Sequence, residues 1–459
     1  MVDKKPSVKS NLYLGLGALS LAIFLVANDF TAFSPALPVV EQEFQSDLTT
    51  SQWVISAYAL VCGVLIVSGG RLADMYGRRR TFIVGLLIFM FFSFLGGIAG
   101  SMGMLLVSRA FMGAGSALIW PSVLGMMYSL MTPKNAGLAG GLIITICGIA
   151  NSVGPLVGGF LADYISWRWI LFINLPLSLV VLYLCFRVIP PDSLNVPIEK
   201  LDYRGVALLS SALFSLLLAF DFVVDVGFKN YLVFGLFMAF FLLFCLFILV
   251  EGRAAEGALI PPDVAGNKSF VTAACVALLI AQFFYAGFFF IPQYLSKVHG
   301  ASATIAGLGL VPLMLAFSVF GFVAGNVYKV LGAKLIVSIA TLLMALGLYM
   351  LSHIYQDGQY IRLVPGLLIL GAGIGLFNST IITFAISVVD PRRASLAGAI
   401  IFMIQIAGGA VGLGLNTTIV ALAGDISYGI SQAFTLNAYL AMLSFIICVL
   451  FIGSKEEKS

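Results

Sequence analysis

Fourteen apolar runs of roughly membrane-spanning length follow one another through this 459-residue chain and leave room for little besides a polytopic membrane fold. A spanning helix needs about 20 mainly apolar residues. The runs fall near 11–37, 52–70, 81–100, 104–130, 137–162, 168–189, 205–224, 230–250, 270–294, 303–325, 334–352, 363–388, 395–424 and 434–453. They are continuously apolar, whereas barrel strands would alternate over about 10 residues, so helices are expected. With 61% hydrophobic and 10% charged residues, lipid rather than water is the solvent.

Charge placement supports the count. With the N-terminus in the cytoplasm, 19 of the 24 Lys and Arg fall in cytoplasmic loops and tails, four fall outside, and Arg109 lies inside a run. That is the inside-positive bias. One span more or fewer would put Arg392, Arg393, Lys455 and Lys458 on the wrong side. The expected location is therefore the cytoplasmic membrane, multi-pass, with both termini cytoplasmic. The run from Leu12 to Ala27 lacks a convincing small-residue cleavage site and leads directly into Asp29, so it reads as a retained first span. The six cysteines sit at scattered positions within runs and suggest neither a disulfide framework nor a metal site. The net charge of +4 arises in cytoplasmic loops and gives no support for nucleic-acid binding.

The chain also repeats itself. An offset of 258 aligns Gly113-Ala114-Gly115 with Gly371-Ala372-Gly373, and Pro133, Ala136, Leu138, Ala139 and Gly140 with Pro391, Ala394, Leu396, Ala397 and Gly398. Spans four and five thus answer to spans twelve and thirteen. The expected division is an N-terminal six-helix bundle (1–189), a cytoplasmic linker (190–204), two inserted helices (205–250), a second linker (251–269), and a C-terminal six-helix bundle with a short tail (270–459). The repeat is chemically uneven. Arg109 aligns with Leu367, Pro155 with Leu413 and, at a local offset of 255, Asp74 with Lys329 between the retained glycines Gly325 and Gly332. Spans nine to fourteen carry no carboxylate in their apolar interiors.

Five short stretches carry chemistry: Asp29 with Thr31 and Ala36-Leu37-Pro38; the loop Gly70-Arg71-Leu72-Ala73-Asp74-Met75-Tyr76-Gly77-Arg78-Arg79; Arg109; Gly148, Gly154, Pro155, Gly158 and Gly159; and the run from Trp167-Arg168-Trp169 to Asn174 and Pro176. Together they resemble the major facilitator superfamily, in its fourteen-span branch of bacterial multidrug exporters that exchange drug for proton. The resemblance implies two six-helix bundles plus two inserted helices around a central cavity. It also implies gating by the 71–80 loop, with Gly70, Asp74, Gly77, Arg78 and Arg79 as its motif, and an antiporter motif at Gly148, Gly154, Pro155, Gly158 and Gly159. Arg109 matches the buried Arg that resembling exporters use in coupling. Met75 stands where an Arg often follows the Asp, which leaves out one arm of that loop's charge network.

The residues carry a reading of their own. Asp29 lies about 27 Å along span one and Arg109 about 8 Å inward from the opposite start of span four, so their depths overlap. Charges in hydrocarbon are expensive and usually paired or facing a wet cavity. Desolvation favours the protonated form of a carboxyl group and a neighbouring guanidinium favours the ionised form, so a carboxyl between such environments can carry a proton. The alternative is a static ion pair or an outer-rim charge. Glycines in span five let helices approach closely and Pro155 removes a backbone donor, which suits either a seal and hinge or plain packing. Arg78, Arg79 and Arg80 would anchor at the cytoplasmic lipid face, and Asp74 would cap or pair with a helix end.

Asn28, Tyr58, Trp120, Asn151, Gln282, Tyr285, Asn378, Gln405 and Asn416 are candidate substrate contacts because they are polar or aromatic residues within spans. The stretch Gln282 to Phe290 offers aromatic surface to a lipophilic or cationic ligand, or ordinary packing. The expected function is proton-coupled export of amphipathic drugs or toxic compounds, with no cofactor beyond the proton gradient. The alternative is export of one endogenous metabolite such as a siderophore. The expected partners are a small-molecule substrate, protons and the lipid bilayer, for a monomer. An enzyme is disfavoured because no span carries paired carboxylates, a His cluster or a nucleophile with usable spacing, and a primary pump because no phosphate-cradling loop is present.

Overall fold

A computed structural model describes residues 8–130, 136–192, 203–254, 258, 260, 262–353, 359–389 and 394–451. Among them no strand occurs, and fourteen helices are long and apolar enough to cross a membrane. Pro133, Asp202 and Pro391 to Arg393 lie outside the described residues, as do most of the two linkers and the terminal basic residues.

The first bundle comprises α1 (Val8–Phe44), α2 (Leu48–Tyr76), α3 (Arg78–Gly97), α4 (Met102–Leu130), α5 (Ala136–Tyr164) and a broken sixth span of α6 (Trp169–Phe172) and α7 (Asn174–Val188). The inserted pair is α8 (Tyr203–Val226) and α9 (Tyr231–Ala254). After the short α10 (Pro262–Ala265), the second bundle comprises α11 (Lys268–His299), α12 (Ala303–Leu308), α13 (Val311–Ser352), α14 (Leu363–Ser387), α15 (Ala394–Leu422) and α16 (Ile426–Phe451).

Several helices outrun their apolar stretches. α1 continues to Phe44 rather than stopping near 37, and α16 starts at Ile426 rather than near 434. Backbone hydrogen bonding persists into the polar interfacial layer, where hydropathy no longer marks the helix. Side-chain caps then fix the ends. Asp47 accepts from Thr50 N at 2.9 Å to start α2, and Asn267 accepts from Phe270 N at 3.0 Å to start α11. Spans ten and eleven run together as α13, with the break reduced to Gly332 (φ 72°, ψ 165°). Its repeat partner Gly77 (φ 101°, ψ 136°) separates α2 from α3 in a related conformation that favours glycine.

The halves meet along two seams, α2 against α15 and α5 against α12 and α13. Gly63 lies so close to Ala407 that a Cβ would stand 2.8 Å from its backbone nitrogen. The inserted α8 docks over the first seam. Trp53 of α2 meets Phe214 edge-on at 5.9 Å, and Thr418 of α15 donates to Phe220 O at 2.9 Å. α9 packs on α8, and most of its surface faces away from the protein.

Candidate functional site

The buried centre of the first half is an ionic cluster. The Asp29 and Arg109 side chains are both 0% exposed, and Arg109 Nη1 donates to Asp29 Oδ2 at 2.6 Å. The second carboxylate oxygen, Oδ1, accepts from Asn174 Nδ2 at 2.8 Å. The same amide reaches Ser93 Oγ at 3.0 Å, and that hydroxyl donates to Leu171 O at 2.8 Å. Arg109 Nε donates to Val54 O at 2.9 Å, and its guanidinium lies over the rings of Phe33 (4.6 Å) and Tyr58 (4.4 Å). A buried pair survives only when further hydrogen bonds satisfy both charges. Here α1, α2, α3, α4 and α7 all contribute to one, although Arg109 Nη2 is buried with no hydrogen-bond partner among the described residues.

Two glycines of α5 set the position of the helix that carries Asp29. A Cβ on Gly154 would stand 2.1 Å from Thr31 Oγ1, and one on Gly158 would stand 1.8 Å from Ala32 O. The opposite side of α5 touches the second half. Gly159 abuts Ala303 O, Gly148 lies beside Ser318, and Pro155 O presses on Gly307. Pro155 itself lies inside an uninterrupted helix. The repeat-related Gly412 is as crowded as Gly154, its Cβ position being 2.1 Å from Gln282 Cβ. Close packing is thus shared by both halves, although proline and charge are not.

At the end carrying the 71–80 loop, which we term the basic end, the arginines turn inward. Arg78 Nη1 donates to Gly125 O at 2.9 Å, and Arg79 Nη2 to Phe186 O at 3.3 Å with its guanidinium over the Phe186 ring. These bonds stand in place of the expected lipid-face anchoring: Phe186 O belongs to the last turn of α7, whereas Gly125 O lies further inside α4. Arg80 stays exposed. The cap at the start of α3 is Asp192, which accepts from Arg79 N and Arg80 N, each at 3.0 Å. Gly77 clears space for it, since a Cβ there would lie 2.3 Å from the carboxylate. Arg71 donates to Ala258 O in the linker before the second half. Gly70 packs on Pro121, and the Asp74 side chain lies outside the described residues.

The opposite end is tied across both halves. Lys297 of α11 pairs with Glu41 of α1 at 2.7 Å. Asp163 of α5 accepts from Ala303 N (2.9 Å) and Thr304 N (2.6 Å), capping α12. Within the first half, Glu43 takes Trp167 Nε1 and Arg168 Nη1, each at 2.6 Å, which fastens α1 to the start of the sixth span.

The substrate candidates divide into groups. Tyr58 and Tyr285 flank Phe30 at 5.8 and 5.6 Å in an aromatic cluster that continues to Phe288, and Ser34 donates to Phe288 O. The Tyr58 hydroxyl is committed to Ser116 at 2.6 Å. Gln405 donates to Asn378 at 2.8 Å between α15 and α14, and Trp120 meets Phe402 edge-on at 5.4 Å. Gln282 faces Gly412 and bonds within its own helix to Leu279 O. Asn416 accepts from Asn437 of α16 at 2.9 Å and donates to Gly412 O in its own helix at 2.7 Å. Asn28 is buried beside Asp29, and Asn151 is half-buried in α5. An open apolar cleft of about 270 Å³ lies between α1 and α5 in the half nearer the basic end, lined by Gly17, Ser20, Leu21, Phe24, Ile146 and Ile149.

Sequence reasoning passed over Ser93, Asn174, Asp192, Glu43 and Asp163 as partners. Only Asn174 stood in a quoted motif. The others are polar residues at helix ends or in apolar runs, and their roles arise from contacts 78–145 residues apart in the chain.

Comparison with known proteins places these features. The sequence family described as Major Facilitator Superfamily matches residues 19–286 and 272–459. A puromycin resistance protein of Streptomyces alboniger is 32% identical over 450 residues, covering 95% of this chain and 89% of that protein. Multidrug resistance protein 3 of Bacillus subtilis (strain 168) is 30% identical over 398 residues, covering 85% and 76%. A POT family transporter crystallised with 5-aminolevulinic acid shares the fold with a TM-score of 0.72 at 14% identity, covering 95% of this chain and 96% of that one.

Proposed function

The chain belongs to the major facilitator superfamily, in its drug-efflux branch, and we propose that it is a proton-coupled antiporter that exports amphipathic drugs or toxic compounds by alternating access. Its membrane is the bacterial cytoplasmic membrane, with the basic end and both termini in the cytoplasm. It works as a monomer in the bilayer. The proton gradient drives it without a further cofactor, and Asp29 is the proton carrier.

One observation carries the reading. Asp29 is a fully buried carboxylate on the helix that touches both halves, held by a single cation. A proton arriving at Asp29 removes one charge of the pair and weakens the bond to Arg109, while Phe33, Tyr58 and Val54 O continue to hold the guanidinium. α1 is then free to shift against α4. Because α1 also bears Ser34 on Phe288 O and Glu41 on Lys297, its shift bears on the seam between halves. The contacts at Lys297 and Asp163 tie the end opposite the 71–80 loop across both halves, and alternating access requires them to part.

Inverted vesicles supplied from the outside with a compound panel beginning with puromycin provide the test. Accumulation should follow an imposed pH gradient, collapse with an uncoupler, and vanish in Asp29→Asn at equal membrane-inserted protein. Gradient-driven accumulation that persists in Asp29→Asn would refute the assignment.

A further inference from the structure

We infer that Asn174 is a positioning residue that serves Asp29 in both of its protonation states by turning its side-chain amide, an inference that rests on Asp29 being the proton carrier. With Asp29 ionised, the amide orientation is dictated by its neighbours. A carboxylate only accepts, and Ser93 spends its hydroxyl hydrogen on Leu171 O, so both must face Nδ2. That leaves Asn174 Oδ1 buried with no partner, in a residue only 1% exposed. An unpaired buried acceptor carries a desolvation cost that native structures normally avoid, and its retention needs a reason.

Protonation of Asp29 supplies one. The proton adds to the carboxylate, and the oxygen facing Asn174 becomes a hydroxyl that needs an acceptor. A half-turn about the terminal torsion, which is broad and nearly two-fold for Asn, brings Oδ1 to that place. Ser93 can turn its hydroxyl from Leu171 O to the same Oδ1. The displaced NH₂ then points where Oδ1 was. Ser178 stands one turn further along α7 on the same face, fully buried, with its Oγ also unpartnered. Its hydroxyl and Asn174 Oδ1 do not reach one another as placed, so a χ1 turn of Ser178 must accompany the turn of the amide for Oγ to accept from it. Two orphaned atoms on α7 are thus unused in one protonation state and used in the other.

The surroundings leave this assignment uncrowded. The charged or titratable groups facing Asp29 are Arg109 from α4 and, from α2, Tyr58 with Cys62 one turn on. α11 adds Tyr285 through the Phe30 ring. α5 presents Gly154 there and α7 presents Asn174, neither of which titrates.

The experiment is infrared difference spectroscopy of the protein in liposomes, titrated with acid and alkali without any substrate. The carboxyl C=O band of protonated Asp29 is identified by its loss in Asp29→Asn. Asn174→Leu removes a charge-assisted donor from the ionised form and an ordinary acceptor from the protonated one. The midpoint of the band should therefore rise by about one pH unit, a tenfold change. Ser178→Ala withdraws support from the protonated form alone, so the midpoint should move the other way. If the leucine variant does not insert, the alanine variant still decides. Absence of any Asp29-specific titrating band would overturn the proton-carrier reading. A normal band with midpoints unmoved in both variants, or moved in the same direction, would overturn the role of Asn174 alone.

Discussion

Gly158→Ala adds a single methyl group at the tightest helix crossing in the first half. The new Cβ would stand 1.8 Å from Ala32 O, whereas ordinary contact begins at 3.4 Å. α1 must therefore retreat from α5 by about 1.5 Å, because a backbone carbonyl cannot rotate away as a side chain can. Ala32 is less than one turn beyond Asp29, so the retreat acts on the 2.6 Å contact with Arg109. Weakening a hydrogen bond between charged groups costs about 1.5–3 kcal/mol, and overpacking costs about 1–3 kcal/mol. Even about 2 kcal/mol is a roughly thirty-fold shift in any equilibrium that depends on the pair.

Initial rates of gradient-driven accumulation in inverted vesicles, normalised to inserted protein, should fall at least tenfold. Gly154→Ala should fall less, because its 2.1 Å contact is with the rotatable Thr31 hydroxyl, and Gly148→Ala least, with Ser318 Oγ at 3.0 Å. Gly235→Ala on α9, where nothing lies within 4 Å, is the control. Transport by Gly158→Ala equal to that control would refute the claim that α5 sets the position of Asp29.

Arg109→Ala should leave a buried, uncompensated carboxylate at a cost of about 3–5 kcal/mol, lowering both inserted protein and transport, whereas Leu367→Met should be tolerated; immunoblots with transport rates separate the two. Gly412→Ala should damage transport about as much as Gly154→Ala, since its Cβ would meet Gln282 Cβ at 2.1 Å; a harmless Gly412 variant would mean that the second half adapts at this crossing. Gly77→Ala combines a positive φ with a 2.3 Å clash against Asp192, so its thermal midpoint should drop by more than that of Gly227→Ala, a glycine with φ +78° and open space. Asp163→Asn should weaken the cap on α12 and raise the labelling rate of a cysteine placed at Thr304; an unchanged rate would remove Asp163 from the closure of that end.

Helix number was legible because hydropathy and the Lys and Arg distribution report the same physical boundary. The meeting of Asp29 and Arg109 was legible from depth alone, since two intramembrane charges at one level have few other places to go. Asn174, Ser93 and Asp192 were not. A polar residue within an apolar run reads the same whether it faces a neighbour or its own backbone, and only packing decides. The comparison of Gly154 with Gly412 exposes a related limit. The sequence difference at the next position, Pro155 against Leu413, does not report how tightly each glycine is packed, and both glycines are pressed against the first helix of their own half. The arginines of the 71–80 loop were placed on lipid because charge alone says nothing about nearby backbone carbonyls.

The docking of α8 over one seam has a consequence for how solutes reach the protein. A greasy compound dissolved in the bilayer could slip in sideways between the halves along either flank of a twelve-helix arrangement. In this chain the α2 and α15 flank is roofed by α8, with Phe214 on Trp53 and Phe220 O on Thr418. Among the described residues the flank between α5 and α13 carries no such cover, and the seam there is closed by α5 itself against α12 and α13. The inserted helices thus shield one flank from lipid and leave the other facing it, which makes the transporter handed with respect to the lipid around it.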